Sequence, residues 1–258
     1  MKTLFLDTTI LADRYLADTE RQRQIRQQLN GKSLTTSNYV IGELKNSFLK
    51  NSITLHTLLL EEETVEDALA RLGQRCFSTR QFDRVLKVFA YLAKKVGYDK
   101  EELLERLDIL IEDEFEILFI DGIDEVIDEC RCIRAHATPV KEGKRWMLDL
   151  GCRQQPQPSC GIEAFYAKCR EELASLTQIA EAERIINVNN LTGMLSGQKS
   201  KYGRNCWSVG DAIICAEVPA DQWIYTSNLK DYGPLSKRLG KKLWREGTEP
   251  PPSSRDSM

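Results

Sequence analysis

Four acidic residues stand at or near the ends of apolar runs, where a carboxylate would be set against a core. Asp7 ends TLFL, Glu43 lies in YVIGELKN, Asp211 lies at the start of GDAIICA, and Asp231 follows WIYTSN. If TLFL and WIY are parallel strands, Asp7 and the Thr226–Asp231 segment fall beyond their carboxyl ends, where open parallel sheets bind ligands. Glu43 and Asp211 sit in or near the first turns of helices able to face the same crevice. Gathered carboxylates repel one another unless a cation holds them, and hard divalent ions such as Mg²⁺ or Mn²⁺ take oxygen ligands of this kind. Such an ion activates water and offsets charge developing on a phosphodiester. Each acid also has an ordinary explanation. Ser208 to Asp211, S-V-G-D, fits a capping box. Glu43 fits a solvated helix acid, and Asp231 a turn residue ahead of Pro234. Asp7 resists this, because it directly ends a strand expected to be buried.

The elements that must position these groups follow from the patterning. Residues 3–6 read as a buried strand and residues 9–29 as a helix. Thr35, Thr36, Ser37 and Asn38 are N-cap candidates for the helix VIGELKNSFL, which carries Glu43. Residues 61–112 hold two or three helices: Phe82, Val85, Leu86, Phe89 and Ala93, then Leu103, Leu104, Leu107 and Ile111, have the spacing of core-facing stripes. EILFI, 116–120, reads as a strand followed by a helix over 123–135. The pattern breaks near Pro139 and returns to helix from Ile162. Ser208 begins another helix, Trp223–Tyr225 a strand, and Pro234 the last helix. Strands alternating with helices predict an α/β protein with a mainly parallel central sheet. The expected organisation is 1–136, a helical, cysteine-containing insertion over 137–200, the remainder of the domain over 201–244, and a Pro/Ser-rich disordered tail over 245–258.

The motifs LFLDTTIL, YVIGELKN, SVGDAIICA and IYTSNLKDY, in that order, resemble the PIN domain family of metal-dependent nucleases, which includes toxins of bacterial toxin–antitoxin pairs. The resemblance covers roughly 1–60 and 114–240. By it, Asp7, Glu43 and Asp211 match the acids that hold the metal. The last motif is similar to the variant ending T-x-N-x-x-D-F, with Tyr232 in place of Phe, which makes Asp231 the fourth acid and sets Asn228 beside the site. Thr8 and Thr226 would be supporting hydroxyls. The resemblance implies a three-layer sandwich, a Mg²⁺ or Mn²⁺ cofactor, endoribonuclease activity on RNA phosphodiesters, and a toxin or stress-effector role with an antitoxin as partner. Asn228, where many relatives place an acid, motivates a different expectation, a catalytically degenerate module that binds RNA or protein. A DNA nuclease is the third.

Basic residues near the proposed crevice are Arg14, Lys45, Lys50, Lys199, Lys201, Arg204 and Lys230; KSKYGR, with Tyr202 inside it, best suits a single strand. The formal net charge is −3, so any nucleic-acid contact must come from such local patches rather than from bulk charge. Hydrophobic residues make up 41% and charged residues 29%, which fits an ordinary globular protein. No run approaches the roughly 18 apolar residues of a membrane span. MKTLFLDTTILA superficially resembles a signal peptide, but Asp7 and Asp13 interrupt it. Eight cysteines without such a signal imply reduced thiols and a cytoplasmic location. Cys130, Cys132, Cys152, Cys160 and Cys169 fall close together, with His136 among them. A structural zinc needs four ligands. Cys130 and Cys132 are expected on one helix at i and i+2, no C-x-x-C is present, and Cys152, Cys160 and Cys169 supply only three, so free thiols are expected there. Cys76, Cys206 and Cys215 are expected to be buried free thiols. Neither His56 nor His136 has a partner at nucleophile-triad spacing, and no Gly-rich phosphate loop is present. The insertion is open to covering the crevice, binding a partner or forming a homodimer surface.

Overall fold

The computed structural model describes residues 2–75, 78–152, 160–179, 182–197 and 206–247. Strand β1 (Thr3–Leu6) leads into α1 (Thr8–Leu16) and α2 (Thr19–Leu29). The single helix expected over 9–29 is two. Ala17 is extended and Asp18 caps α2 by accepting from the Arg21 amide, which restarts the helix on a new axis. Strand β2 (Ser33–Ser37) occupies the stretch expected only to supply caps. Ser37 does both: it ends β2 and its side chain accepts from the Val40 amide at the start of α3 (Asn38–Leu44). A π-helical stretch, Lys45–Leu49, joins α3 to α4 (Lys50–Glu61).

Three helices follow, α5 (Val65–Arg75), α6 (Thr79–Val96) and α7 (Lys100–Ile109), as the apolar stripes predict. Val85, Leu103, Leu107 and Ile111 are fully buried. EILFI is not a strand. Phe115 and Phe119 lie at i and i+4 on one face of α8 (Phe115–Phe119), and both rings pack on Phe48. Three aromatics packed tilted and edge to face reward helical spacing over the period-two pattern of a strand. The strand comes later, as β3 (Glu125–Ile127), inside the segment expected to be helical. Asp124 guides it there: its carboxylate accepts from the Leu34 amide and the Ser33 hydroxyl, and its own amide donates to Leu34. Only a 3₁₀ turn, Ile133–His136, remains of that expected helix.

The segment read as irregular forms a hairpin, β4 (Pro139–Glu142) and β5 (Arg145–Leu148), turning at Gly143 with φ +60°. Helices α9 (Ile162–Lys168), α10 (Arg170–Leu176), α11 (Ala182–Ile185) and α12 (Val188–Leu195) complete the insertion. Its Phe165, Leu173, Leu176 and Leu191 are buried in the same apolar cluster as the sheet, so it is packed against the remainder rather than tethered to it. Then come α13 (Gly210–Glu217), β6 (Trp223–Tyr225), α14 (Leu229–Arg238) and β7 (Lys242–Leu243). Helix α14 starts before Pro234 rather than at it.

The sheet order is β3-β2-β1-β6-β7, and every neighbouring pair is parallel. The fold is therefore α/β, with a five-stranded parallel sheet among many helices. Strand β1 is central and its Leu4, Phe5 and Leu6 are fully buried, as a strand covered on both faces must be. Among the described residues no helix is long and apolar enough to cross a membrane. Of the tail, residues 248–258 lie outside the described residues; before them, Glu246 pairs with Arg21.

Candidate active site

The chain leaves the central strands β1 and β6 side by side, and the next residues of each meet. The Asp7 amide donates to Tyr225 O, and Ser227 N donates to Thr9 Oγ1. Asp7 caps α1: its Oδ1 accepts from Thr9 N at 3.0 Å, Thr9 Oγ1 at 2.7 Å and Ile10 N at 3.1 Å. A capping role therefore accounts for one oxygen. The other, Oδ2, accepts, among the described residues, from Thr226 Oγ1 at 2.7 Å, and an ionised carboxylate oxygen has a second lone pair to offer. Asp7 is 2% exposed. Burial pushes its carboxyl from the ordinary 3.8 up to about 6; hydrogen bonds from Thr226, Thr9 and Ile10 pull the other way, and Glu43 adds to the rise.

Glu43 arrives from α3. Thr8 Oγ1 donates to its Oε2 at 2.8 Å. Its Oε1 lies where a side chain on residue 210 would begin: a Cβ there would stand 2.5 Å from it. Gly210 thus lets Glu43 reach the start of α13, beside Asp211 in the first turn. That helix begins at Gly210, with Val209 as its N-cap and no side-chain cap bond, one residue later than a Ser208 box would set. Asn228 sits between the remaining acids. Its Nδ2 donates to Asp231 Oδ2 at 2.9 Å and approaches Asp211 Oδ2 at 3.5 Å, while its backbone N–H donates to Thr226 Oγ1. The buried Tyr232 hydroxyl registers the gathering: its pKa is raised well above the usual, by burial first, then by the charges of Asp211, Asp7, Cys215 and Glu43.

Asp7, Glu43, Asp211 and Asp231 line one cleft of about 720 Å³, together with Thr8 and Asn228; Thr226 stands behind Asp7. A neighbouring depression of about 770 Å³ holds Arg21, Glu246 and Trp244 but none of the four acids. Among the described residues, no three His, Cys, Asp or Glu side chains converge closely enough to hold an ion by themselves. The donor set is all hard oxygen. Acids so spaced would reach a hard cation only with water completing its shell, as magnesium is held by one or two carboxylates and keeps several waters.

The basic residues divide. Lys45, expected to contact nucleic acid, is a correction: it is 5% exposed and donates to Ala135 O at 2.6 Å and Ala137 O at 3.2 Å, with Glu116 Oε1 at 3.0 Å. A solvated Lys usually faces water, but here the π-helical stretch turns it inward to satisfy the carbonyls behind the 3₁₀ turn. Lys230 is exposed and is not among the residues lining the cleft. Lys199, Lys201 and Arg204 lie outside the described residues. The cleft instead presents Arg84 and Lys87 of α6, and Arg134. Arg84 and Lys87 passed in the sequence as the polar face of an amphipathic helix, and Arg134 as part of a helix that does not form.

Compared with known proteins, the chain matches no family model, and neither a curated protein nor a solved structure proves similar to it.

Proposed function

We propose that the chain is a PIN-like, metal-dependent endoribonuclease, with the helices layered on both faces of the sheet and the reaction in the carboxylate cleft. One observation carries the proposal: four acids from segments far apart in the sequence line a single cleft beyond the ends of strands β1 and β6. Parallel sheets bind ligands there.

Asp7 and Asp211 would hold Mg²⁺ or Mn²⁺, with Glu43 and Asp231 binding it directly or through water. When bound, such an ion lowers the pKa of water and offsets charge on a phosphodiester. The chain's own groups do the rest. Thr226 and Thr8 fix the Asp7 and Glu43 carboxylates in orientation. Asn228 sets amide hydrogens between Asp231 and Asp211, relieving their repulsion. Arg84 and Lys87 are positioned to take phosphates of a strand entering the cleft. A cytoplasmic toxin or stress-effector role, with an antitoxin as partner, belongs to the same proposal through the motif resemblance alone.

The test is cleavage of a mixed single-stranded RNA pool by wild-type and Asp211→Asn protein, with Mn²⁺ and then with EDTA, and with DNA in parallel. Cleavage of RNA that needs both the metal and Asp211 is the expected result; metal-independent cleavage, or none by folded protein, overturns the proposal. A second reading rests on Asn228, which supplies an amide where a fifth oxygen anion would strengthen the site. It predicts that RNA is retained without turnover.

A further inference from the structure

The depression beside the carboxylate cleft is continuous with it: Asp13, Leu16, Lys87 and Ser227 line both. The end of β6 explains why. Tyr225, Thr226 and Ser227 are consecutive. Thr226 Oγ1 donates to Asp7 Oδ2 in the cleft, whereas the Tyr225 and Ser227 hydroxyls serve the depression. A strand lying in the cleft and running past Ser227 therefore enters the depression next.

There, donors converge on one carboxylate. Arg21 belongs to the first turn of α2, where the Asp18 cap holds its amide. Its Nη1 donates to both oxygens of Glu246, at 2.7 and 2.8 Å, and its Nη2 donates to Ser227 Oγ at 3.2 Å. The Tyr225 hydroxyl donates to Glu246 Oε1 at 2.5 Å. Tyr225 is 1% exposed, so the central sheet sets the place of this donor. Ser227 is fixed in turn by its own amide, which donates to Thr9 Oγ1. A guanidinium with a hydroxyl donor beside it accepts phosphate by the same geometry as carboxylate.

The acceptor is held less firmly than the donors. The chain is anchored as far as Trp244, whose ring packs edge to face on Trp223, whose amide donates to Ile224 O and whose indole donates to Gln28. Glu246 lies beyond that anchor, among exposed residues. The Arg21 and Glu246 side chains are 24% and 35% exposed. Ion pairs so placed add little to stability, and Glu246 can leave without disturbing β7. Lys87 stands on the shared boundary, its Nζ 3.7 Å from Asp13 Oδ1, so cationic side chains continue from the cleft to Arg21.

We propose that Arg21 and Tyr225, with Ser227 orienting the guanidinium, form a phosphate subsite for a nucleotide flanking the scissile bond of a single-stranded RNA, and that Glu246 occupies it until the strand arrives. The choice of RNA rests on the ribonuclease reading above; the anion subsite rests on the geometry of the depression. Glu246 both fills the subsite and repels phosphates, so it lowers the affinity for the strand.

The experiment is fluorescence anisotropy of a short labelled oligouridylate with the full chain, in chloride buffer with EDTA so that cleavage plays no part. Glu246→Gln should tighten binding roughly 3–10-fold, because a like charge is removed and a charge-assisted bond to phosphate is free to form. Arg21→Ala should weaken binding, and most of the Glu246→Gln gain should vanish when the two are combined. Equal affinity of wild type and Glu246→Gln overturns the proposal. So does the same gain in the Arg21→Ala background, which would mark bulk charge, or a failure of every variant to bind. If Glu246→Gln does not fold, Arg21→Ala decides, and affinity equal to wild type overturns the subsite. The expected pattern in protein that cleaves nothing with Mn²⁺ supports the subsite and removes the ribonuclease reading; metal-dependent cleavage by protein whose affinity ignores Glu246 and Arg21 does the reverse.

Discussion

Asp7 is buried and Asp108 half-buried, and the molecule treats the two aspartates in opposite ways. Asp108, on α7, is surrounded by donors. Trp146 Nε1 reaches it at 2.5 Å, Lys141 Nζ at 2.8 Å and His56 Nε2 at 3.0 Å. Burial raises its pKa, but the hydrogen bonds from Lys141 and Trp146 and the charges of His56 and Lys141 outweigh this, and the carboxyl lies below its ordinary value. Among the described residues Asp7 has hydroxyl and amide donors but no cationic one, and its carboxyl is raised to about 6. One aspartate closes a structure, clamping the β4–β5 hairpin onto α4 and α7. The other is held in place but left short of positive charge. That difference separates a group that stabilises the fold from the one on which the proposed metal site centres.

The comparison breaks most visibly at Asp7. A rise from 3.8 to about 6 corresponds to roughly 3 kcal/mol against the ionised form. Because the folded value lies above the unfolded one, stability is greatest below about 4 and is lost as pH climbs toward 6. Asp7→Asn keeps the amide-accepting oxygen and removes the charge. In metal-free urea titrations at pH 7 it should be more stable than wild type by up to that amount, and the gap should close at pH 4. It should also lose all cleavage and all stabilisation by Mn²⁺. A variant that is less stable at pH 7 would mean that Asp7 is a structural cap like any other.

Gly210→Ala attacks the same site without touching a ligand. The new methyl group displaces Glu43 Oε1. Mn²⁺ affinity, read by calorimetry, should fall about 10–100-fold, as it does when groups that orient ligands are lost, with circular dichroism unchanged. Unaltered affinity would remove Glu43 from the site.

The smallest effect belongs to Asp108→Asn. The clamp is partly exposed, so its loss should cost on the order of 1 kcal/mol after solvent screening. Since the folded pKa lies below the unfolded one, the wild-type advantage should be present at neutral pH and shrink as pH falls below about 4. Cleavage and Mn²⁺ binding should be untouched. A change in either would couple the hairpin to the cleft.

Much of the site was legible because its parts are local. Asp7 follows a short apolar run that reads as a buried strand, and Thr226, Asn228 and Asp231 sit within six residues. Where side-chain period and burial conflict, the sequence misled. EILFI satisfies a strand pattern, yet Phe48 supplies an aromatic partner from a distant helix that rewards the i, i+4 arrangement. Lys45 reads as a surface cation, yet its ammonium finishes the hydrogen bonding of Ala135 and Ala137.

The sequence by itself determined strands β1 and β6, the apolar helical stripes, and which acids stand at element ends, because those properties depend on neighbours a few residues away. The tertiary structure alone decided which acids share a cleft, that Gly210 leaves room for Glu43, and that Lys45 turns inward to the Ala135 and Ala137 carbonyls. Those outcomes depend on contacts between segments with no local trace of each other, and only the packing of the whole chain sets them.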